Sequence, residues 1–147
     1  LELLAFIAGA VRPILAALPG PLGPEMILEL RPRPEDYPLV FRGDAASKAR
    51  TRYDELWREP PEIHPASGAT ELDVYASPAG MFRSDNELSR NFPQAYRAVA
   101  HELVPERIWI TWRYRKPSER SGLRFDGLVW LDGRWAWFPK PFRALEP

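Results

Sequence analysis

The chain has 147 residues, 45% of them hydrophobic, with 20 Lys and Arg balanced by 20 Asp and Glu and no cysteine. A chain of this size buries about two-thirds of its unfolded surface, enough for one domain to fold without disulfides or a metal. Disulfide scaffolds, thiol catalysis and thiolate zinc sites are excluded, and a formal charge of zero argues against a surface that grips nucleic acid throughout.

The 17 prolines form no repeat and act as punctuation. Arginine far outnumbers lysine, which is confined to Lys48, Lys116 and Lys140, the mark of a GC-rich, bacterial type of genome. Five of the six tryptophans fall between Trp109 and Trp137.

In chain order, Leu1 to Leu18 is apolar but interrupted by Glu2, Arg12 and Pro13. Its unbroken run, Leu3 to Val11, is half of what crosses a bilayer and has no basic flank before it. A core or docking helix, kinked or ended near Pro13, is expected rather than a signal remnant. A cytoplasmic protein follows from that reading, an exported one from the other. Pro19 to Pro38 reads as an extended connector in which Met26 to Leu30 forms a short edge strand. Residues 1–36 are then a helical arm with a Pro-rich connector, and residues 37–147 a single domain.

Asp44 is suited to cap a helix over Ala45 to Trp57, with Ala46, Ala49, Tyr53 and Leu56 or Trp57 at helical spacing. Glu71 to Ala76 alternates as a half-buried strand, placing Leu72 and Val74 opposite Asp73 and Tyr75. Met81 to Arg83 is expected to return as a second short strand. Asn91 then caps a helix carrying the stripe Phe92, Tyr96, Val99 and Leu103.

Arg107 to Arg115 alternates strictly, and Leu123 to Leu131 runs into Asp132-Gly133, a strong hairpin signal, before Arg134 to Phe138. A two-residue turn there pairs Trp130 with Trp135 and Leu128 with Trp137. One face then holds Phe125, Val129, Leu131, Ala136 and Phe138 with Ile108, Ile110 and Trp112. The other mixes Trp109, Arg113, Arg115, Arg124, Trp130, Trp135 and Trp137 with Thr111, Asp126 and Leu128. A bulge at Gly127 would exchange the faces beyond it. The fold class expected is α+β, helices packed on a curved antiparallel sheet.

This order of elements, ending in Leu131-Asp132-Gly133-Arg134-Trp135, resembles the NTF2-like superfamily with its SnoaL-type and ketosteroid-isomerase-type domains. The resemblance spans Tyr37 to Phe142. It implies a cone-like curved sheet around helices, a pocket inside, and dimers formed through the outer sheet face. Enzymes of that family place Asp, His and Tyr in the pocket, and none of those motifs maps residue by residue onto this chain.

Among chemical candidates, His64 and His101 lie in settings typical of solvated histidines, and neither has a carboxylate at metal-ligand spacing. No Gly-rich loop links a strand to a helix, so neither cofactor nor metal is expected. The catalytic candidates are Asp73 and Tyr75, on the same face of one strand, and Asp126, whose apolar neighbours would raise its pKa. The plainer reading of Asp126 is an ion pair across the sheet to Arg113, Arg115 or Arg124.

The Trp/Arg face calls for a cover: another part of the chain, a second copy, an acidic partner or a small ligand. Charge supports an acidic partner, because residues 107–147 carry nine basic and four acidic side chains while residues 1–106 carry 11 and 16. The function read from the sequence is a small binding domain that self-associates or recognises a partner through that face. The alternative is a small-molecule isomerase or dehydratase with a pocket between sheet and helices.

Overall fold

A computed structural model describes residues 2–147; Leu1, the first residue of the expected N-terminal helix, lies outside the described residues. The first helix, α1 (Glu2–Ala17), passes through Pro13 instead of ending there. Tertiary docking carries it on. Ile7, Val11 and Leu15 recur every four residues along the buried side, and the Leu15 carbonyl accepts a hydrogen bond from the Tyr114 hydroxyl at 2.6 Å.

The expected edge strand at Met26 to Leu30 is instead a helix, α2 (Gly23–Glu29). Pro24 sits in its first turn, where a missing N–H costs nothing, and Ile27 and Leu30 are buried three residues apart, on one face. Gly23 permits the turn that precedes it, since a Cβ there would lie 1.8 Å from the Leu18 carbonyl oxygen. Ile7, Val11, Leu15, Leu18, Ile27 and Leu30 belong to the same buried core as the rest of the chain.

A 3₁₀ turn at Pro34–Asp36 leads into α3 (Tyr37–Val40). The helix α4 (Asp44–Leu56) begins one residue earlier than expected, its cap position taken by Gly43 at φ 51°. Met81 to Arg83 does not form a strand but lies in a 3₁₀ turn, Ala79–Arg83. There the Ala79 and Gly80 N–H groups donate to the carbonyls of Arg107 and Pro105, and Phe82 turns inward. The long helix expected after Asn91 is reduced to a 3₁₀ turn (Ser89–Asn91), α5 (Tyr96–Val99) and a second 3₁₀ turn (Ala100–Glu102). Asn91 donates its side-chain amide back to the Glu87 carbonyl rather than capping forward. The stripe Phe92, Tyr96, Val99 and Leu103 is nevertheless buried throughout.

The sheet is an antiparallel meander, curled but not closed: β1 (Glu71–Pro78), β2 (Ile108–Arg115), β3 (Gly122–Trp130) and β4 (Trp135–Trp137), in that order. The hairpin forms in the expected register, Trp130 opposite Trp135 and Leu128 opposite Trp137, with Asp132 and Gly133 both at positive φ. A short helix, α6 (Pro141–Ala144), follows. The fold class is α+β, with helices packed on a curved antiparallel sheet.

Between β2 and β3 the register slips. Ile110 faces Leu128 while Thr111 faces Asp126, leaving Gly127 as the spare residue, at φ 93°. This bulge exchanges the two faces of β3 beyond it. Trp109 and Thr111 therefore share a face with Arg113, Arg124 and Asp126, whereas Leu128, Trp130, Trp135 and Trp137 join Ile110 and Trp112 on the other. The single Trp/Arg face read from the alternation does not exist, and neither does the apolar face drawn opposite it. Phe125 stacks on Trp112, while Val129, Ala136 and Phe138 lie on the side of Trp109.

Both faces carry helices. The Trp112 side is covered by α1, through the Tyr114 to Leu15 hydrogen bond and its packing on β1. On the Trp109 side an aromatic cluster of Phe41, Tyr53, Phe82, Tyr96 and Phe138 joins α3, α4 and α5 to the sheet. Indoles that alternation placed on an open surface are thus core. Trp109, Trp112 and Trp137 are fully buried, and Trp130 and Trp135 are half-buried, 4.9 Å apart at the hairpin end.

Candidate functional site

The face that carries Trp109 divides into two polar rows. In the outer row, Asp73 lies opposite Arg113, and both guanidiniums near it are spent on its carboxylate. Arg113 Nη2 is 2.9 Å and Arg115 Nε 2.7 Å from Asp73 Oδ2, and Arg115 Nη2 adds a contact to Oδ1 at 3.2 Å. The hydrogen bond from Arg115 is the main cause that holds the Asp73 carboxyl below its usual range. A carboxylate held ionised by two arginines is a poor proton donor. Asp73 is therefore an ion-pair anchor, and Arg113 and Arg115 are its partners.

The inner row runs Tyr75, Thr111, Asp126. Tyr75 is half-buried and stands two strands from Asp126, about 10 Å by strand spacing. Thr111 fills the space between them, its hydroxyl donating to the Phe125 carbonyl at 2.8 Å and receiving Arg124 Nε at 3.4 Å. Asp126 makes none of the arginine ion pairs expected of it among the described residues. It is 6% exposed, and its partners are neutral donors. The Tyr96 hydroxyl donates to Oδ1 at 2.5 Å, and the Lys140 backbone N–H donates to the same oxygen at 3.0 Å.

Each donor is placed by a local feature. Tyr96 is the one stripe residue of α5 with a hydroxyl, and a buried hydroxyl needs an acceptor. Lys140 has left-handed backbone, φ 49° and ψ 63°, a conformation that a non-glycine residue adopts only under constraint. That geometry turns its N–H toward the carboxyl. The Gly127 bulge brings β3 against Phe138, whose N–H donates to the Gly127 carbonyl at 2.7 Å. Trp137 Nε1 closes the cradle on the Asp126 carbonyl at 2.8 Å.

Burial is the largest influence on the Asp126 carboxyl and raises its pKa, against the smaller lowering effects of Tyr96 and Lys140. Burial also pushes the Tyr96 phenol well up, with the charge of Asp126 as the next cause. Tyr96 therefore remains a donor. Since both neighbours donate to Oδ1, a proton on Asp126 resides on Oδ2. That oxygen accepts no hydrogen bond from the described residues.

Asp126 lies at the floor of a cleft of about 730 Å³ between α4, β3 and α6. Phe125, Trp137, Leu56 and Leu123 give it an apolar wall, Glu55 of α4 and Glu59 just past its C-terminal end an acidic rim, and Arg124, Lys140 and Arg143 a basic rim opposite. No ion pair engages those three cations among the described residues. The α6 wall is fastened to α4 through Lys48 Nζ to the Leu145 carbonyl, Arg52 Nη2 to the Glu146 carbonyl and the Tyr53 hydroxyl to the Pro139 carbonyl.

Of the residues singled out in the sequence, the cleft gathers Asp126, Arg124 and Trp137. Arg113, Arg115, Asp73 and Tyr75 share its sheet face without lining it, Trp109 is buried beneath the aromatic cluster, and Trp130 and Trp135 lie at the far end of the hairpin. Tyr96, Lys140 and Arg143 were not anticipated. Among the described residues no three His, Asp or Glu side chains gather to hold a metal ion, and no helix is long and apolar enough to cross a membrane. In comparisons with known proteins the chain matches no family model, no curated protein and no solved structure.

Proposed function

We propose that the chain binds a small organic molecule in the α4–β3–α6 cleft and exchanges a proton with it through Asp126 Oδ2. One observation carries this reading: a nearly buried carboxyl at the cleft floor has one oxygen saturated by two fixed donors and the other left for a ligand. A carboxyl with a raised pKa, clamped in one orientation, is suited to general acid–base work. The cleft volume lies in the range of small-molecule sites. The apolar wall takes the body of the ligand, and the unpaired cations of the opposite rim favour an acidic substituent. The NTF2-like resemblance, which carries the same expectation of a pocket between sheet and helices, is supported only by the order of elements and the curled sheet.

Titration with phenylacetate and benzylamine, followed by amide NMR, tests the reading. Phenylacetate is expected to shift the Phe125, Asp126 and Lys140 amides saturably, and Asp126→Ala, which removes the donor at Oδ2, to weaken that binding about tenfold, the loss of one hydrogen bond to a charged ligand. Shifts confined to other parts of the protein, no saturable shift with either compound, or equal binding by wild type and a folded Asp126→Ala would overturn it.

A further inference from the structure

The helix α1 has no polar side. Of its 16 residues only Glu2 and Arg12 are charged, and Ile7, Val11 and Leu15 already occupy the sheet-facing side. The reverse side is led by Phe6, 73% exposed, and Leu3, 61% exposed, with Gly9, Ala10 and Pro13 also open to solvent. A surface helix ordinarily turns a charged stripe to water; this one turns a phenyl ring and a leucine outward.

Gly9 adds a second, separate anomaly. Glycine in the interior of a helix costs about 1 kcal/mol relative to alanine. Nothing among the described residues requires it here, because a Cβ at Gly9 would meet none of their atoms within 4 Å. The cost is explained when a bulky group from outside the chain packs at that point.

We propose that α1 pairs with α1 of a second copy, antiparallel and about a two-fold axis that crosses the helix near Ile7. Phe6 of each copy then lies over Gly9 of the other, filling the notch that the missing Cβ leaves. Ten residues of helix separate Glu2 from Arg12, about 15 Å, so the same axis brings Glu2 to within one residue, about 1.5 Å along the helix, of Arg12 of the other copy, twice over. A parallel arrangement would set Glu2 against Glu2 and Arg12 against Arg12. The helix is thus self-complementary in charge as well as in shape, as an isologous contact must be.

Sedimentation equilibrium on the full chain, with near-ultraviolet circular dichroism to confirm folding of each variant, tests this. Wild type should show a concentration-dependent dimer. Phe6→Asp should weaken it about tenfold or more, because it buries a charge at the centre of the contact. Glu2→Arg and Arg12→Glu should each weaken it about fivefold, two symmetric surface ion pairs being lost and replaced by repulsion, and the double reversal Glu2→Arg/Arg12→Glu should restore it. A monomer at all concentrations, a dimer indifferent to Phe6→Asp, or a double reversal no stronger than the single ones would refute the pairing. Binding of a monomeric wild type to mixed phosphatidylcholine and phosphatidylglycerol vesicles would also refute it, assigning the face to a lipid surface.

Discussion

Replacing Gly127 by alanine should cost about 4 kcal/mol, and each part of that figure comes from a particular atom. At φ 93° an alanine is strained by its own backbone, about 1–2 kcal/mol. Its Cβ would also lie 2.0 Å from the Phe138 carbonyl oxygen, 2.5 Å from the carbonyl carbon and 2.8 Å from Pro139 Cα. These are main-chain atoms, so no rotamer change makes room, and the strand end has to move. That movement breaks the Phe138 N–H to Gly127 hydrogen bond, worth about 1 kcal/mol. It also draws the Lys140 N–H from the buried Asp126 carboxyl, about 1.5 kcal/mol more for a buried acceptor that loses a partner. Against a total stability on the order of 5–15 kcal/mol the protein would be severely weakened, with Tm lowered by roughly 12 °C at this chain length. Urea unfolding followed by tryptophan fluorescence gives the measurement, with Gly133→Ala as control. Gly133 also has positive φ, but a Cβ there meets nothing within 4 Å, so only backbone strain of about 1 kcal/mol is expected. If Gly127→Ala unfolds at the same urea concentration as Gly133→Ala, the close approach at the bulge does not exist and the face assignment falls with it.

Three further outcomes are expected. Burial raises the Asp126 pKa above its ordinary 3.8; the folded state therefore holds the proton more tightly than the unfolded chain, and stability is lost as pH rises through the window above that value. Asp126→Asn does not titrate, so it should gain stability relative to wild type between pH 4 and pH 7.5, read from urea midpoints; a difference constant across that range contradicts the buried, raised carboxyl. Asp73 behaves oppositely: its pKa is lowered, chiefly by Arg115, so its contribution is present above 3.8 and lost as pH falls through its folded value. Wild type should then lose stability more steeply than Asp73→Asn in acid unfolding below pH 4, and parallel curves would count against the triad. Arg134 pairs with the fully buried Asp36, and Arg134→Met leaves that carboxylate with only the Arg33 N–H. A loss of roughly 3–5 kcal/mol is expected in thermal or urea unfolding, partly recovered in Arg134→Met/Asp36→Asn; a neutral single mutant would show that the pair is not closed in solution.

The hairpin register was legible because Asp132-Gly133 constrains φ at two positions and so counts residues unambiguously. The sheet faces were not, because alternation identifies a face only when the other side is wet, and here helices cover both. Trp109 and Trp112 are equally buried on opposite sides of β2. Gly127 marked the place where a spare residue was possible without showing that one was present. Pro24 misled in the opposite way: proline excludes a central strand but is at home in a helix first turn, and the spacing of Ile27 and Leu30 decides between the two. Within the cleft, Asp126 stood out as a carboxylate among apolar neighbours. Tyr96 lay 30 residues away, although a tyrosine rather than a phenylalanine in a buried stripe is itself a sign of a waiting acceptor. Lys140 acts through its main chain, and side-chain chemistry carries no sign of that.

The way α1 docks also sets an order of events during synthesis. Its anchor on the sheet, the Tyr114 hydroxyl, is 99 residues downstream of Leu15; the Arg134 to Asp36 and Lys48 to Leu145 contacts span 98 and 97 residues. At about 5–20 residues per second, the ribosome needs roughly 5–20 s to deliver that partner. The most apolar helix thus precedes in the chain the strands that cover it. Until β1 and β2 are made, the sheet-facing residues Ile7, Val11 and Leu15 lack the surface they pack on in the folded chain. The meander closes by short hairpin steps, whereas α1 closes loops of about 60 residues to reach β1 and 99 to reach Tyr114, so its docking carries the larger chain-entropy cost.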